Sequence, residues 1–485
     1  MARILLGVIH EKRLAASHAR RPVAPPTAAA ALVAPIAHCT HMPAAYRGQA
    51  RTARRQRSSG RVDHAAVAEG SRPMSWMRRV VEHHGCVLTT TAGRLTAALT
   101  AALIVGVCVG LAVLWPAGGS TPAGPLASGQ IQPAEVVAVT RGSCENWGGP
   151  GCKLLEIELG EGQHAGQRSY ITLGGDHGTP PVHAGDRITV LRNAPAGIDS
   201  ALADQLPIDD PSQQPYSFID FDRTSPLLFL VIGFAGLVIV LGRWHGLRAL
   251  LGLGLSLLLV VEFVAPAILA GSSPLLIALI GSLAVMVVTI GVSHGIGVKS
   301  CAAMLGTAAA LLLTALLALF VVRAANITGF SSEEATLLFA GTGTISLEGL
   351  VLAGMVIGAL GVLDDVTVSQ ASTVMALRRA NPALSVRRLF AEALAVGRDH
   401  LGATVNTLVL AYAGAALPIL LIFNTNGTSF KNAVNGEPVA EQIVAMLVGS
   451  IGLIAAVPLT TAIAALVAGR IPASAVPEGL HHHHH

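Results

Sequence analysis

Charged and aromatic side chains are scarce in this chain of 485 residues. Asp, Glu, Lys and Arg together make up 12% of the chain, aromatic residues 4%, and hydrophobic residues 52%. A soluble globular protein carries about 25% charged residues, so this composition excludes that class and indicates a membrane protein. Glycine is abundant, with 52 residues, which is typical of membrane helices that pack closely through small side chains.

Cysteine is scarce as well, with six residues in the whole chain. Four of them form no CxxC pair, so we expect no zinc or other metal site; they are Cys39, Cys86, Cys108 and Cys301. No HExxH motif is present, and no set of nucleophile and base stands out, so neither an enzymatic activity nor a cofactor is expected.

Residues 1–91 are rich in Ala, Arg and Pro and show no sustained apolar period. This pattern predicts a disordered basic tail. Because almost no aromatic residues are interleaved with the arginines, a solvated tail is favoured over a nucleic-acid partner. A start of translation at Met74 or Met77 is an alternative, and His481 to His485 have the form of an expression tag in the tail 471–485.

Apolar stretches of about 17 to 25 residues predict roughly eight membrane spans. Lys and Arg in the short flanks favour the cytoplasmic side, which places both termini in the cytoplasm and residues 116–223 outside. The first span is followed by this exported insert and then by a membrane domain over 226–470. The spans are predicted near 92–115, 226–242, 247–269, 274–292, 300–322, 350–371, 401–423 and 442–468.

The exported insert contains four short alternating stretches bounded by turn residues, which predict a small β-barrel of about 80 residues. Cys144 and Cys152 flank a turn-rich stretch within it. In an oxidising compartment they are expected to form a disulfide, with two free thiols as the alternative.

Asp364 and Asp365 stand side by side inside the hydrophobic stretch 350–371. Carboxylates in hydrocarbon are costly and mark ion pathways, so we interpret this pair as a proton or cation site. The alternative is that both acids lie solvated at the cytoplasmic end of a shorter span. Residues three or four apart lie on the same face of a helix, and six small or polar residues of this stretch have that spacing. The first three are glycines, which allow close packing against a neighbouring helix, and the others are polar. They are Gly354, Gly358, Gly361, Asp365, Ser369 and Ser372.

Further polar residues in the spans are candidates for the same site. Thr367 and Gln370 follow the acid pair, Asn406 lies in the seventh span, and Glu262 lies in the third, where it could instead reach the outer interface. Between spans six and seven, Ser385 is a good helix N-cap before an apolar stripe. We expect an amphipathic helix there that lies on the membrane surface.

Three segments together resemble the YibE/F-like family of bacterial membrane proteins. They are GVLDDVTVSQAS from Gly361, RDHLGATVNTLVLAYAGAALPILL from Arg398, and YSFIDFDR at the end of the exported insert. The resemblance covers about residues 92–470 and implies a multi-pass protein of the bacterial cytoplasmic membrane. At the level of arrangement, the acid pair also resembles the proton-relay half of resistance-nodulation-division and SecD/SecF-type permeases, although no intramembrane basic partner is present.

The sequence thus predicts an all-α membrane bundle of about eight helices with a small exported β-barrel-like domain. Its first functional hypothesis is a secondary transporter, a proton- or cation-coupled permease that uses the Asp pair. The alternative is a scaffold or assembly factor whose exported domain binds a protein partner. We expect the chain to lie in a lipid bilayer, and formation of a homo-oligomer is left open. Neither the substrate nor the direction of transport follows from the sequence.

Overall fold

The computed structural model describes residues 91–116, 131–144, 149–161, 164–174, 180–193, 216–295, 297–343 and 345–470. The predictions for the basic tail and for the terminal histidines lie outside these residues.

Most of the described chain is helical, as the apolar stretches predict. Six helices are long and apolar enough to cross a membrane, or seven if a pair bent by 53° counts as one span. The helices are α1 (Thr91–Leu114), α2 (Thr224–Leu259), α3 (Ala265–Leu269), α4 (Pro274–His294), α5 (Val298–Ala324), α6 (Glu333–Thr342), α7 (Leu347–Ala380), α8 (Val386–Ala415), α9 (Leu417–Thr425), α10 (Phe430–Asn435) and α11 (Glu437–Arg470).

The apolar helical stretch Thr224–Leu269 is 46 residues long, more than twice the length that a bilayer requires. It is broken at Arg243, whose φ of 49° and ψ of −128° are not helical. A Cβ on Gly246 would overlap the carbonyl oxygen of Val238, although residues eight apart lie about 12 Å apart in a straight helix. The chain therefore folds back at Arg243 into two arms, 224–242 and 244–269. Two spans fit this stretch, and the count of eight stays a prediction.

Five antiparallel strands between α1 and α2 form one curled sheet with the order β3-β2-β1-β4-β5. Alternating side chains such as Val136, Leu155, Ile157 and Ile188 are fully buried in a common core, which follows from the two-residue period of a strand. Closure of this sheet into a barrel stays a prediction. The strands are β1 (Ile131–Cys144), β2 (Gly149–Leu159), β3 (Arg168–Leu173), β4 (Arg187–Arg192) and β5 (Tyr216–Phe221).

Cys144 and Cys152 lie at the same end of the β1–β2 hairpin. Gly142 pairs with Cys152, and Cys144 pairs with Gly149. The side chain of Cys144 lies outside the described part of the chain, so the disulfide stays a prediction. Closing this short loop is expected to stabilise the sheet by about 2–3 kcal/mol. Mass spectrometry of protein purified without reductant should find the two residues linked, and two alkylated thiols would refute the bridge.

Only Asp222 and Arg223 separate β5 from α2. Arg223 Nη1 lies 2.7 Å from Asp220 Oδ2, and the backbone N–H of Thr224 donates to Asp222. The hydrogen bond from Arg223 holds the pKa of Asp220 below its usual value, and hydrogen bonds from Thr224 do the same for Asp222.

These shifts predict a pH dependence of this junction. Because folding lowers the pKa of Asp220, its stabilising contribution is present above the unfolded pKa of about 3.9 and is lost as pH falls through the folded value. The wild-type protein should therefore have a higher melting temperature than Asp220→Asn at pH 6, and this difference in melting temperature should vanish well below pH 4. A difference that persists unchanged in acid would contradict this account.

The centre of the membrane region is built from α5, α7 and α11, which pack on one another, with α4 and α8 alongside. Small residues make this close approach possible. A Cβ on Gly306 of α5 would overlap Thr460 of α11, and one on Gly452 of α11 would overlap Thr314 of α5. Glycine at these two positions therefore allows α5 and α11 to pack closely.

The amphipathic segment after α7 differs from its prediction. The Ser385 side chain caps the helix by accepting from the Arg388 N–H at 3.4 Å, as predicted. Its apolar stripe, however, does not lie free on the membrane surface. Leu389 and Ala393 are fully buried in the central core, because the segment is the first part of the continuous helix α8.

Candidate functional site: the aspartates of helix α7

The acid pair lies in the middle of α7, one of the three helices at the centre of the bundle. Helix α7 runs for 34 residues from Leu347 to Ala380. Asp364 lies near its midpoint, about 25 Å from either end at 1.5 Å per residue. Helix α7 continues for four more turns after the acids, and the alternative of two solvated acids at the cytoplasmic end of a shorter span stays open.

The two aspartates have different surroundings. Asp364 is half-buried, and its Oδ1 is buried without a hydrogen-bond partner among the described residues. Asp365 is exposed. A rotation of 100° per residue separates the two side chains, which is enough to turn one toward the bundle and the other away from it.

Hydroxyl groups connect α7 to α5 one turn after Asp364. Thr367 Oγ1 lies 2.5 Å from Thr307 Oγ1, and both residues are fully buried. Thr367 Oγ1 also lies 3.1 Å from the backbone oxygen of Asp364, and Thr307 Oγ1 lies 3.0 Å from that of Ala303. Each hydroxyl has one proton, so one threonine donates to the other, which donates to its own backbone oxygen. The paired hydroxyls satisfy each other in an otherwise apolar core, as buried polar groups must.

Gln370 continues this polar line by another turn and joins three helices. Its Nε2 donates to the backbone oxygen of Ala393 in α8 at 2.7 Å and to Thr461 Oγ1 in α11 at 2.8 Å. Thr461 in turn donates to the backbone oxygen of Val457. Its neighbour Thr460 is fully buried, and in the described structure its Oγ1 has no hydrogen-bond partner. We call Asp364, Thr367, Thr307, Gln370, Thr461 and Thr460 the polar seam.

Sequence reasoning missed three members of the polar seam, Thr307, Thr460 and Thr461. Single threonines are common in apolar helices, so Thr307 gave no signal. The pair Thr460 and Thr461 follows Pro458, a helix-interior proline that frees a backbone oxygen and is often accompanied by polar partners. The proximity of these threonines to Pro458 was the sequence signal that could have identified them.

The glycine stripe predicted to pack against a neighbouring helix lies on the outside of the bundle. Gly354, Gly358, Gly361 and Ser369 are exposed, like Asp365. A Cβ on Gly354 or Gly361 would meet nothing within 4 Å among the described residues, and one on Gly358 would meet only the Tyr412 hydroxyl, at 3.4 Å. Within this chain these glycines are not used for close packing.

A cleft of about 250 Å³ lies near the Leu347 end of α7. It is bounded by α6, α7, α8 and α11 and lined by Gly354, Tyr412, Glu441 and Gln442 among others. Gly354 lies about 15 Å above Asp364 along the helix. The cleft therefore leads toward the acid pair from one side without reaching it.

The remaining predicted site residues, Asn406 and Glu262, belong to other helical segments than α7. Asn406 is exposed on α8, and no hydrogen bond joins it to either acid in the described region. Glu262 is exposed on a π-helical turn, Val260–Val264, that precedes Pro266. The proline lacks an N–H, which accounts for the irregular turn, and π turns often mark functional positions.

Two further patterns bear on chemical function. No group of three or more His, Cys, Asp or Glu able to hold a metal ion occurs in the described ranges. The sequence from Gly291 to Gly295, GVSHG, has the spacing GxSxG, which sequence reasoning passed over. Ser293 lies in the last turn of α4 and not at a strand-to-helix turn, so the nucleophile elbow that gives this motif its meaning is not formed there.

Comparison with known proteins gives one match. Residues 230–470 match the family described as YibE/F-like protein, a region that begins within the arm 224–242 and contains the arm 244–269 and all the later helices. No curated protein and no solved structure matches the chain.

Proposed function

Since the chain belongs to the YibE/F-like family, we propose that it is a proton- or cation-coupled permease of the bacterial cytoplasmic membrane. The ion site uses a carboxylate of the acid pair of α7. The observation that supports this most is Asp364 Oδ1, a buried carboxylate oxygen without a hydrogen-bond partner at the midpoint of a membrane helix. Intramembrane acids are costly and are typical of ion pathways.

The surroundings of the acid pair support the same proposal. The cleft near Gly354 offers an approach from the predicted outer side, and the polar seam continues from Asp364 toward the predicted cytoplasmic side. A coupled transporter requires access from both sides in turn. In this arrangement the cleft at Gly354 lies about 15 Å from Asp364 along α7, and the polar seam begins at Asp364.

Reconstituted protein tests the proposal. Vesicles with a pH-sensitive dye in the lumen should report ion flux with wild type and with Asp399→Asn, which removes an exposed carboxylate outside the core. The double variant Asp364→Asn/Asp365→Asn should fall to the level of protein-free vesicles. Equal flux in wild type and double variant would refute a role of the pair in coupling.

A scaffold remains the second candidate, and one observation favours it. The exposed face of Gly354, Gly358 and Gly361 offers a surface where a partner helix or a second copy of the chain could approach closely. The exported sheet would then hold a further partner. Flux at the level of protein-free vesicles in both wild type and double variant would favour this function.

The proposed orientation has both termini inside and residues 116–223 outside. Gly160 lies at the end of β2 in the exported sheet. Gly160→Cys in intact cells should react with a membrane-impermeant maleimide. Reaction only after lysis would reverse the orientation.

A further inference from the structure

The two aspartates of α7 belong to different faces of the helix, and their neighbours at helical spacing show this. Leu360 and Ala371, four residues before and seven after Asp364, are buried at 5% and 0% exposure. Gly361 and Ser369, four residues to either side of Asp365, are exposed. Side chains four or seven apart share a face, so Asp364 lies at the edge of the packed face and Asp365 at the centre of the free one.

The packed face of α7 also carries two polar residues that form hydrogen bonds to other helices. Thr367, one turn after Asp364, bonds to Thr307 across the contact with α5, and Gln370 bonds to Thr461 of α11. Around this part of α7, helices α8 and α11 contribute apolar side chains, including Leu401, Val405, Leu453 and Val457. The charged group that acts most directly on Asp364 is Asp365, from its own helix.

We propose that Asp364 alone is the coupling acid, that it binds a proton, and that Thr307 and Thr367 position it, while Asp365 takes no part in coupling. This inference rests on the proposed function. The proton adds to a carboxylate oxygen of Asp364, giving the neutral carboxyl, and leaves again as the anion re-forms. Nothing else is consumed.

The hydrogen bonds favour a proton over a metal cation. Thr307 and Thr367 bond to each other and to backbone oxygens, so both hydroxyl protons are committed within this pair. Asp364 Oδ1 is a buried oxygen that accepts no hydrogen bond within the described region. One buried acceptor suits a proton, whereas a metal cation requires a shell of several free oxygens.

Labelling tests the split of the two faces without any assay of transport. Dicyclohexylcarbodiimide dissolves in the bilayer, and a protonated carboxyl adds across its N=C bond to give an acylisourea that rearranges to a stable acylurea. Mass spectrometry should find the adduct in wild type and in Asp364→Asn, and it should be lost in Asp365→Asn. An adduct that is lost in Asp364→Asn and kept in Asp365→Asn would overturn the assignment of faces.

Flux measurements test the coupling role. In dye-loaded vesicles, Asp365→Asn should retain the wild-type rate, Asp364→Asn should lose it, and Asp364→Glu should restore part of it because the acid is kept. Thr307→Val should slow the flux, whereas Thr404→Val, the same change at a site away from the seam, should not. Each variant is used only if its melting temperature matches that of wild type, and Asp364→Glu provides the second route if the amide variant fails to fold.

The outcomes separate the two proposals. Flux lost in Asp365→Asn and kept in Asp364→Asn would overturn the assignment of the coupling acid while leaving the permease intact. No flux in wild type would refute the permease, and with it any coupling role of Asp364. The labelling result would still decide which acid faces the bundle.

Discussion

Replacing Gly306 by alanine is expected to lower the free energy of unfolding by about 1–3 kcal/mol, the usual cost of overpacking a tight core. The added methyl would overlap the Thr460 side chain and would lie close to its Cα at 3.1 Å. A flexible side-chain end could move aside, but here the backbone of α11 must shift as well. Thermal unfolding in detergent, followed by circular dichroism, measures the change.

Gly361→Ala is the matched control for Gly306→Ala. It is also a helix-interior glycine, but a Cβ there would meet nothing within 4 Å among the described residues. Alanine favours a helix over glycine by about 1 kcal/mol, so the melting temperature should stay unchanged or rise. Equal losses at both positions would contradict the packing account and would show that the free face of α7 is covered.

The contrast between these glycines shows where sequence reasoning succeeded and where it stopped. Hydropathy located the apolar stretches, because the length of a bilayer-spanning helix is set by the membrane. Spacing correctly grouped Gly354, Gly358 and Gly361 on one face. Spacing could not show that this face of α7 is exposed, nor that the close helix contacts are made at Gly306 and Gly452. Lipid and the bundle core are equally apolar, so hydropathy does not reveal which face of a helix points into the bundle.

The same ambiguity explains the amphipathic segment after α7. An apolar stripe that begins at Leu389 fits a membrane surface and a protein core equally well. The structure buries Leu389 and Ala393 completely and leaves Val396 exposed at 51%. The deciding contacts come from α7 and α11, which are distant in sequence, so local pattern alone could not choose between the two surfaces.

The sequence was enough to predict which two residues form the candidate site, but not the different role of each. Two adjacent acids in a long apolar stretch are a strong signal, and they do lie near the midpoint of α7. Their separation into a half-buried and an exposed carboxylate depends on the angle at which α7 packs. Thr307 and Thr461 belong to other helices, and only tertiary packing brings them to Thr367 and Gln370.

Gln370→Ala is expected to loosen α8 from the central helices. The change removes the hydrogen bonds to Ala393 and Thr461 and leaves a small cavity in a fully packed region. Losing a buried hydrogen-bonded group costs about 1–3 kcal/mol, so we expect amide hydrogen exchange over 386–397 to accelerate by roughly fivefold to more than a hundredfold. The control is Ser369→Ala, the neighbouring residue on the free face, which should leave exchange in this segment unchanged. Equal exchange in wild type and Gln370→Ala would show that apolar packing of Leu389 and Ala393 alone holds the start of α8, and that the amide of Gln370 serves only to satisfy its own buried polar atoms.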